Sequence, residues 1–130
     1  LSLLTTAVVF LVVVVPALEP DWALIHVHEA DEQGNVRIWG SLFQDVLMSR
    51  AARRTIVTAE RLVKADTFRE AGERTNVPHF LVEAVVECPG GAAPGRCWPD
   101  YQVDDAGMKA YLQAVREGEA SLGAYLQAVQ

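Results

Sequence analysis

Cysteine is scarce in this sequence of 130 residues, where only Cys88 and Cys97 occur. A disulfide between them is geometrically possible, but two thiols in an otherwise ordinary chain more often stay reduced. No histidine lies near their C-x8-C spacing, so this pair does not match a zinc-binding motif. The cysteines therefore predict neither a disulfide-rich scaffold nor a zinc finger.

Positive charge is also limited, because 11 lysines and arginines face 17 acidic residues and leave a net charge of -6. This balance argues against nucleic acid as the main partner, since phosphate binding requires a basic surface. The hydrophobic share of 51% is typical of an ordered globular protein. The length predicts one domain over residues 1–130.

Several motifs of well-known enzyme classes are missing. No serine lies in a nucleophile elbow, and no glycine-rich turn matches a P-loop or a dinucleotide fingerprint. Gly90 and Gly91 lie in a loop without a clear following helix, and Cys88 has no recognisable base beside it. These absences disfavour the corresponding hydrolase, nucleotide-binding and cysteine-nucleophile functions.

The one long apolar run, Leu1 to Val15, ends at Pro16, short of the roughly 20 residues that a membrane-spanning helix needs. It has neither an initiator methionine nor leading basic residues, so a signal peptide is disfavoured and a fragment of a longer protein is favoured. The β-branched stretch Ala7 to Val15 predicts a strand buried on both faces, as in a parallel sheet. We therefore expect no membrane partner.

The remaining pattern alternates strands with helices, which is typical of parallel β-α-β units. Residues 104–129 carry two copies of Ala-Tyr-Leu-Gln-Ala-Val and predict two amphipathic helices, or one interrupted near Gly118 and Gly123, laid against the sheet. The predicted class is α/β, with an open, mostly parallel sheet flanked by helices. The predicted strands are Trp22–His28, Val36–Trp39, Thr55–Ala59 and one further strand supplied by Phe80–Val82 and Ala84–Glu87. The other predicted elements are a turn at Asp31–Asn35, a helix at Asp45–Arg53, a surface helix or loop at Lys64–Asn76, and an irregular loop at Cys88–Pro99.

The strand beginning at Trp22 carries the most distinctive side chains. Alternation places Leu24, His26 and His28 on one face, and Ile25 and Val27 on the other. The His-x-His pair could hold zinc only with a third ligand, for which Glu29, Asp31 and His79 are the candidates. Local hydrogen bonding of the two imidazoles is the favoured interpretation, so no metal is predicted.

Acidic residues follow the ends of the predicted strands. Glu29 and Asp31 end one strand and could serve acid–base chemistry, although acidic turn residues are more often solvated or bonded to their own backbone. Glu60 closes the next strand, and a buried carboxylate there would need a partner such as Arg61. For Glu60 a structural role is favoured over a catalytic one.

Five segments occur in a distinctive order and spacing: Val13 to Asp21 leading into Ala23-Leu24-Ile25-His26, the motif Ala30-Asp31-x-x-Gly34-Asn35, the stretch Arg50 to Glu60, Val77-Pro78 with Glu83 to Glu87, and Pro89 to Pro94. Together they resemble the A subunit of family I CoA-transferases. The similarity is greatest to glutaconate-type subunits and to the hydrolase subunits of steroid-ring degradation. It covers only the C-terminal half of such a protein, so the chain resembles a partial domain of the CoA-transferase fold.

The resemblance implies a function in acyl-CoA chemistry. It implies a hetero-oligomer with a B subunit, whose glutamate attacks the thioester, so this chain contributes no catalytic residue and alone is expected to be inactive. The expected substrates are acyl-CoA thioesters and carboxylic acids, with no cofactor beyond the CoA thioester itself, in the cytoplasm. The candidate substrate-binding residues are His28, Glu29, Asp31, Gly34 and Asn35. The alternatives are an acyl-CoA hydrolase subunit of the same fold and a non-catalytic scaffold domain.

Overall fold

Two long parallel strands form the centre of a four-stranded sheet in the computed structural model, which describes residues 14–128. The strands are β1 (Trp22–Asp31), β2 (Val36–Arg37), β3 (Arg54–Val63) and β4 (Ala84–Glu87). The helices are α1 (Asp45–Ala51), α2 (Ala65–Glu70), α3 (Asp105–Glu117) and α4 (Glu119–Ala128), with short 3-10 turns at Gly72–Arg74 and His79–Leu81.

The strand order β2-β1-β3-β4 confirms the predicted open, mostly parallel sheet. β3 pairs in parallel with both β1 and β4, and only the two-residue β2 runs antiparallel. In this register His26 lies beside Thr58, and Thr58 lies beside Val86. The carboxyl ends of the three parallel strands therefore meet at one edge of the sheet.

The hydrophobic core lies on one face of the sheet. It is formed by the buried side chains of Ile25, Val27, Ala30, Val36, Val57, Ala59 and Val77. On the opposite face Leu24 is 70% exposed and Val86 is 49% exposed. The predicted alternation along β1 is confirmed, because Ile25 and Val27 are buried in the core while Leu24 is not.

The last predicted strand is wrong over its first part, Phe80–Val82. After Pro78, the N–H groups of Leu81 and Val82 donate to the carbonyls of Pro78 and His79, and these local hydrogen bonds form a 3-10 turn. The strand at Ala84–Glu87 is confirmed, and Lys64–Asn76 contains α2. Of the predicted strand at Ala7–Val15, residues 7–13 lie outside the described part of the chain, and Val14 and Val15 belong to no strand.

The C-terminal repeat forms two helices, separated at Gly118, whose φ of 105° favours glycine. The prediction that they lie against the sheet is wrong, since their main contacts are with each other. The rings of Tyr111 and Tyr125 lie 5.8 Å apart across the helix pair. Within residues 14–128 no helix has both the length and the apolar character that crossing a bilayer requires.

Candidate functional site

The candidate site lies on the sheet face opposite the core, where β1 and β3 approach their carboxyl ends. There the irregular segment that follows β4 folds over His26 and Glu60. This segment is fastened to β3 by two backbone N–H groups, since Cys88 donates to the carbonyl of Ala59 and Gly90 donates to the carboxylate of Glu60. The loop thus covers the end of a face that is otherwise open.

Glu60 is the centre of the site and is only 8% exposed. Its Oε1 accepts hydrogen bonds from Nε2 of His26 at 2.7 Å and from the hydroxyl of Tyr101 at 2.6 Å, and its Oε2 accepts from the N–H of Gly90 at 2.8 Å. Burial by itself raises the pKa of Glu60, but these hydrogen bonds and the charge of His26 outweigh burial and leave the pKa below its ordinary value. Glu60 is therefore held as a carboxylate.

His26 is fixed on both sides of its ring. An ionised carboxylate only accepts, so Nε2 of His26 carries the proton shared with Glu60, while Nδ1 lies 2.8 Å from the hydroxyl of Thr58. A Cβ on Gly91 would lie 2.7 Å from Cε1 of this ring, so only glycine lets the loop pass so close. The ring is positioned by the neighbouring strand β3 and by the loop.

Burial and the nearby carboxylate of Glu60 also change the pKa values of Tyr101 and Cys97. Desolvation first, and then the hydrogen bond to Glu60, raise the pKa of Tyr101 far above its ordinary value. Desolvation and the charges of Glu60 and Asp100 raise the pKa of the Cys97 thiol. Both groups are consequently protonated at neutral pH. Cys88 and Cys97 are both free.

His26, Glu60 and Cys97 form a possible metal-ligand cluster, with one donor atom of each residue lying within 4.8 Å of the others. Nε2 of His26 and Oε1 of Glu60 are, however, only 2.7 Å apart. Two ligands of one tetrahedral zinc ion, at bond lengths of about 2.0 Å, lie about 3.3 Å apart. The geometry fits a direct hydrogen bond between the two side chains better than a zinc site.

His28 uses both ring nitrogens on backbone groups. Its Nε2 donates to the carbonyl of Trp98 at 2.6 Å, and its Nδ1 accepts from the N–H of Trp39 at 3.2 Å. His28 thus joins the segment after β2 to the loop after β4, and it has no free nitrogen for a His-x-His zinc pair. The favoured interpretation of local hydrogen bonding agrees with this geometry.

A cavity of about 510 Å³ opens beside these histidines. Its walls include the edges of His26 and His28, the aromatic side chains of Trp39, Phe43 and Trp98, and the guanidinium-bearing Arg96. The volume is in the range of small-molecule sites, which combine apolar walls with a few polar groups. This cavity is the best candidate for a binding site at the carboxyl-end edge of the sheet.

The predicted substrate-binding residues do not gather at this cavity, and of the five only His28 lines it. Asp31 is fully buried and accepts from the backbone N–H groups of Gln33 and Asn35 and from the Asn35 amide. Gly34 has a φ of 97° in the same turn, which requires glycine. The turn therefore has a structural task, and a substrate-binding role for its residues stays a prediction.

Glu29 is engaged in ion pairs, 3.2 Å from Nη1 of Arg37 and 3.6 Å from Nη2 of Arg61. Arg61 also pairs with Asp100 at 2.9 Å, so the expected pairing of Glu60 with Arg61 is wrong. Burial lowers the pKa of Arg61, but these carboxylates outweigh burial and raise it. Glu29 and Arg61 thus belong to a cluster of ion pairs beside the site.

Sequence reasoning missed Thr58, Tyr101 and the aromatic wall of Trp39 and Trp98. The contact of Thr58 with His26 could have been predicted from the sequence, because parallel pairing of the two predicted strands places a β3 hydroxyl next to His26. Tyr101 lies 41 residues from Glu60, and no local pattern connects them. Predicting such a contact requires knowledge of the path that the irregular loop takes.

Residues 11–88 match the protein family described as Coenzyme A transferase. The A subunit of glutaconate CoA-transferase from Acidaminococcus fermentans is 41% identical over 100 residues, which span 77% of this chain and 31% of that protein. The cholesterol ring-cleaving hydrolase IpdA subunit of Mycobacterium tuberculosis is 31% identical over 105 residues, spanning 78% of this chain and 36% of that protein.

Solved structures agree. The fold matches glutaconate coenzyme A-transferase from Acidaminococcus fermentans with a TM-score of 0.75 and 35% identity, over 83% of this chain and 34% of that one. It matches a variant of the decarboxylase AibA/AibB with a TM-score of 0.73 and 34% identity, over 88% of this chain and 40% of that one. The chain spans about a third of the length of the curated relatives it matches.

Proposed function

This chain belongs to the coenzyme A transferase family, and from that premise we propose that it is part of the A subunit of an enzyme acting on acyl-CoA thioesters and carboxylic acids together with a B subunit. The observation that carries the proposal is the family match over residues 11–88, joined to the 41% identity with the A subunit of a CoA-transferase. The geometry adds a cavity with apolar walls at the sheet edge where such folds bind ligands.

The chemistry proposed for the whole enzyme is covalent transfer. In the B subunit, one glutamate carboxylate attacks the thioester carbonyl and expels CoA thiolate, giving a mixed anhydride; the thiolate then attacks the glutamyl carbonyl and releases the original acid. The resulting enzyme–CoA thioester passes CoA to a second carboxylate by the same steps in reverse. No cofactor is needed beyond the CoA thioester.

Within this scheme the present chain supplies the wall of the substrate site. Glu60 is a poor nucleophile, because three donors occupy its oxygens and burial keeps substrate from them. We propose that His28 lines the acyl pocket and that Glu29, Asp31, Gly34 and Asn35 shape the edge behind it. The free thiols and the CoA substrate favour a cytoplasmic location.

The experiment is a chimera in which this chain replaces the matched segment of the glutaconate CoA-transferase A protein, produced together with that enzyme's partner subunit. We expect the chimera to form the complex and to exchange CoA between an acyl-CoA and a carboxylic acid, measured by chromatography of both thioesters. The isolated chain is expected to show no exchange. A chimera that assembles as a folded complex but transfers no CoA would contradict the proposal.

The 31% identity to a ring-cleaving hydrolase subunit favours a second candidate, which is an acyl-CoA hydrolase of the same fold. The same chimera distinguishes the two, because a hydrolase releases free CoA without an acceptor acid. Release of free CoA that does not depend on the acceptor acid would show that the activity is hydrolysis and not transfer. Assembly without either reaction would favour the non-catalytic scaffold.

A further inference from the structure

The cavity beside His26 and His28 has an unusual polarity, because the two imidazoles in its wall are already bonded within the protein. Both nitrogens of His28 are used on backbone groups, and both nitrogens of His26 are used on Thr58 and Glu60. The two imidazoles therefore present ring edges rather than free nitrogens to a ligand. A ligand must find its polar contact elsewhere in the wall.

Arg96 provides that contact. It is the one guanidinium or ammonium group among the described residues that line the cavity. Across residues 14–128, none of the ion pairs includes Arg96. In a chain with a net charge of -6, an arginine left without a carboxylate at a cavity is a candidate anion contact.

The rest of the wall is aromatic and exposed. Trp39 is 37% exposed, Trp98 is 54% exposed and Phe43 is 87% exposed, although such side chains usually bury most of their surface. Phe43 also has a φ of 34°, a conformation that bulky residues rarely adopt. Aromatic walls favour a flat apolar body, which can stack or contact them edge-on.

From this combination we propose that the cavity binds a ring-bearing monocarboxylic acid, with its carboxylate on Arg96 and its ring between Trp39 and Trp98. A second carboxylate would be desolvated without a cation to meet it. The ionised Glu60 behind His26 would repel it further. The inference deepens the proposed function, on which it rests, since it names the acid that the enzyme would use.

The test uses the chain labelled with 15N and reads its three tryptophan indole N–H signals. The probes are phenylacetate, its neutral isostere phenylacetamide, and glutarate, which has two carboxylates and no ring. We expect phenylacetate to shift the signals of Trp39 and Trp98 in a saturable way. Trp22 is an internal control, because it lies at the other end of β1, near the guanidinium of Arg54.

Phenylacetamide and glutarate are each expected to bind about tenfold more weakly than phenylacetate, because each lacks one of the two contacts. Arg96→Gln should weaken phenylacetate about tenfold, whereas the matched control Arg69→Gln, on the exposed face of α2, should leave binding unchanged. Equal binding of phenylacetate and phenylacetamide, tighter binding of glutarate, or unchanged binding by Arg96→Gln would overturn the proposal.

The remaining outcomes separate this inference from the proposed function. A chimera that exchanges CoA while no probe shifts Trp39 or Trp98 would overturn the inference alone. Phenylacetate binding at this cavity in a chimera without exchange would overturn the proposed function alone. A last experiment adds the partner subunit to the labelled chain, first without and then with phenylacetate. If the subunit alone shifts the signals of Trp39 and Trp98, and phenylacetate then no longer binds, the cavity is an interface between subunits and the inference is wrong.

Discussion

Glu60 connects three parts of the chain that are distant in sequence. Its carboxylate joins β3 to His26 on β1, to Gly90 at the start of the loop, and to Tyr101 at the loop's end. A buried carboxylate is stable only when its lone pairs are met by donors. Here they are met by the groups that fold the loop over the sheet, so the charge and the shape of the cavity depend on one another.

Replacing Glu60 by Gln should therefore destabilise the chain by about 2 kcal/mol near neutral pH, because the neutral amide offers one acceptor oxygen and turns its NH₂ toward groups that donate. Unfolding in urea, followed by circular dichroism, measures the change. The exposed Glu83→Gln is the matched control and should be neutral.

The effect of Glu60→Gln should depend on pH in a definite direction. The pKa of Glu60 in the folded chain lies below the ordinary value of 4.5, so its stabilisation is fully present above that pH and is lost as the pH falls through the folded pKa. The difference in the free energy of unfolding between the original chain and the variant should become smaller as the pH falls below 4.5. A difference that is constant with pH would contradict an ionised Glu60.

Residue-level prediction from the sequence succeeded where the signal was local. Acidic turn residues are expected to be either solvated or bonded to their own backbone, and Asp31 follows the second alternative. For Glu60 the sequence favours a structural role at a strand end and suggests a partner such as the adjacent Arg61, whereas its partner in the structure is His26, 34 residues away. The choice between these partners depends on the strand register and on the path of the loop, and the residues next to Glu60 in the sequence determine neither.

At the scale of elements, alternation and β-branched content predicted the central strands well, because those patterns reflect burial on the sheet. β1 and β3 extend beyond their predicted ends into polar residues, since Glu29 and Arg61 still pair across the sheet. The C-terminal helices show what such patterns do not predict. Their apolar stripes predicted helices, but a stripe does not say which surface covers it, and the two helices contact each other.

The start of α3 depends on a single side chain. Oδ1 of Asp104 accepts from the N–H groups of Ala106 and Gly107 at 3.1 and 3.0 Å, the geometry of a helix N-cap. Asp104→Ala should cost about 1 kcal/mol of helix stability, measured as lost ellipticity and as a lower urea midpoint. Asp104→Asn keeps a capping oxygen and should restore most of the loss. Equal losses in both variants would show that the charge rather than the cap matters.

At the scale of the whole molecule, the sheet is covered on one face and largely open on the other. Parallel sheets are normally covered on both faces. Here the loop after β4 covers the carboxyl end of the second face, while Leu24 and Val86 remain exposed. The curated relatives are about three times longer than their match to this chain, so they have ample sequence to cover such a face.

We therefore expect the stability effect of Leu24→Gln to depend on the length of the protein. In the isolated chain Leu24 is already 70% exposed, so the substitution should change the free energy of unfolding by less than about 0.5 kcal/mol. In the full-length chimera, where the face becomes covered, it should cost about 2 kcal/mol, as expected for burying a leucine. Thermal unfolding of both proteins measures the difference, with Leu112→Gln on α3 as the control of similar chemistry. Equal effects in the chain and the chimera would mean that this face stays open to water in the longer protein.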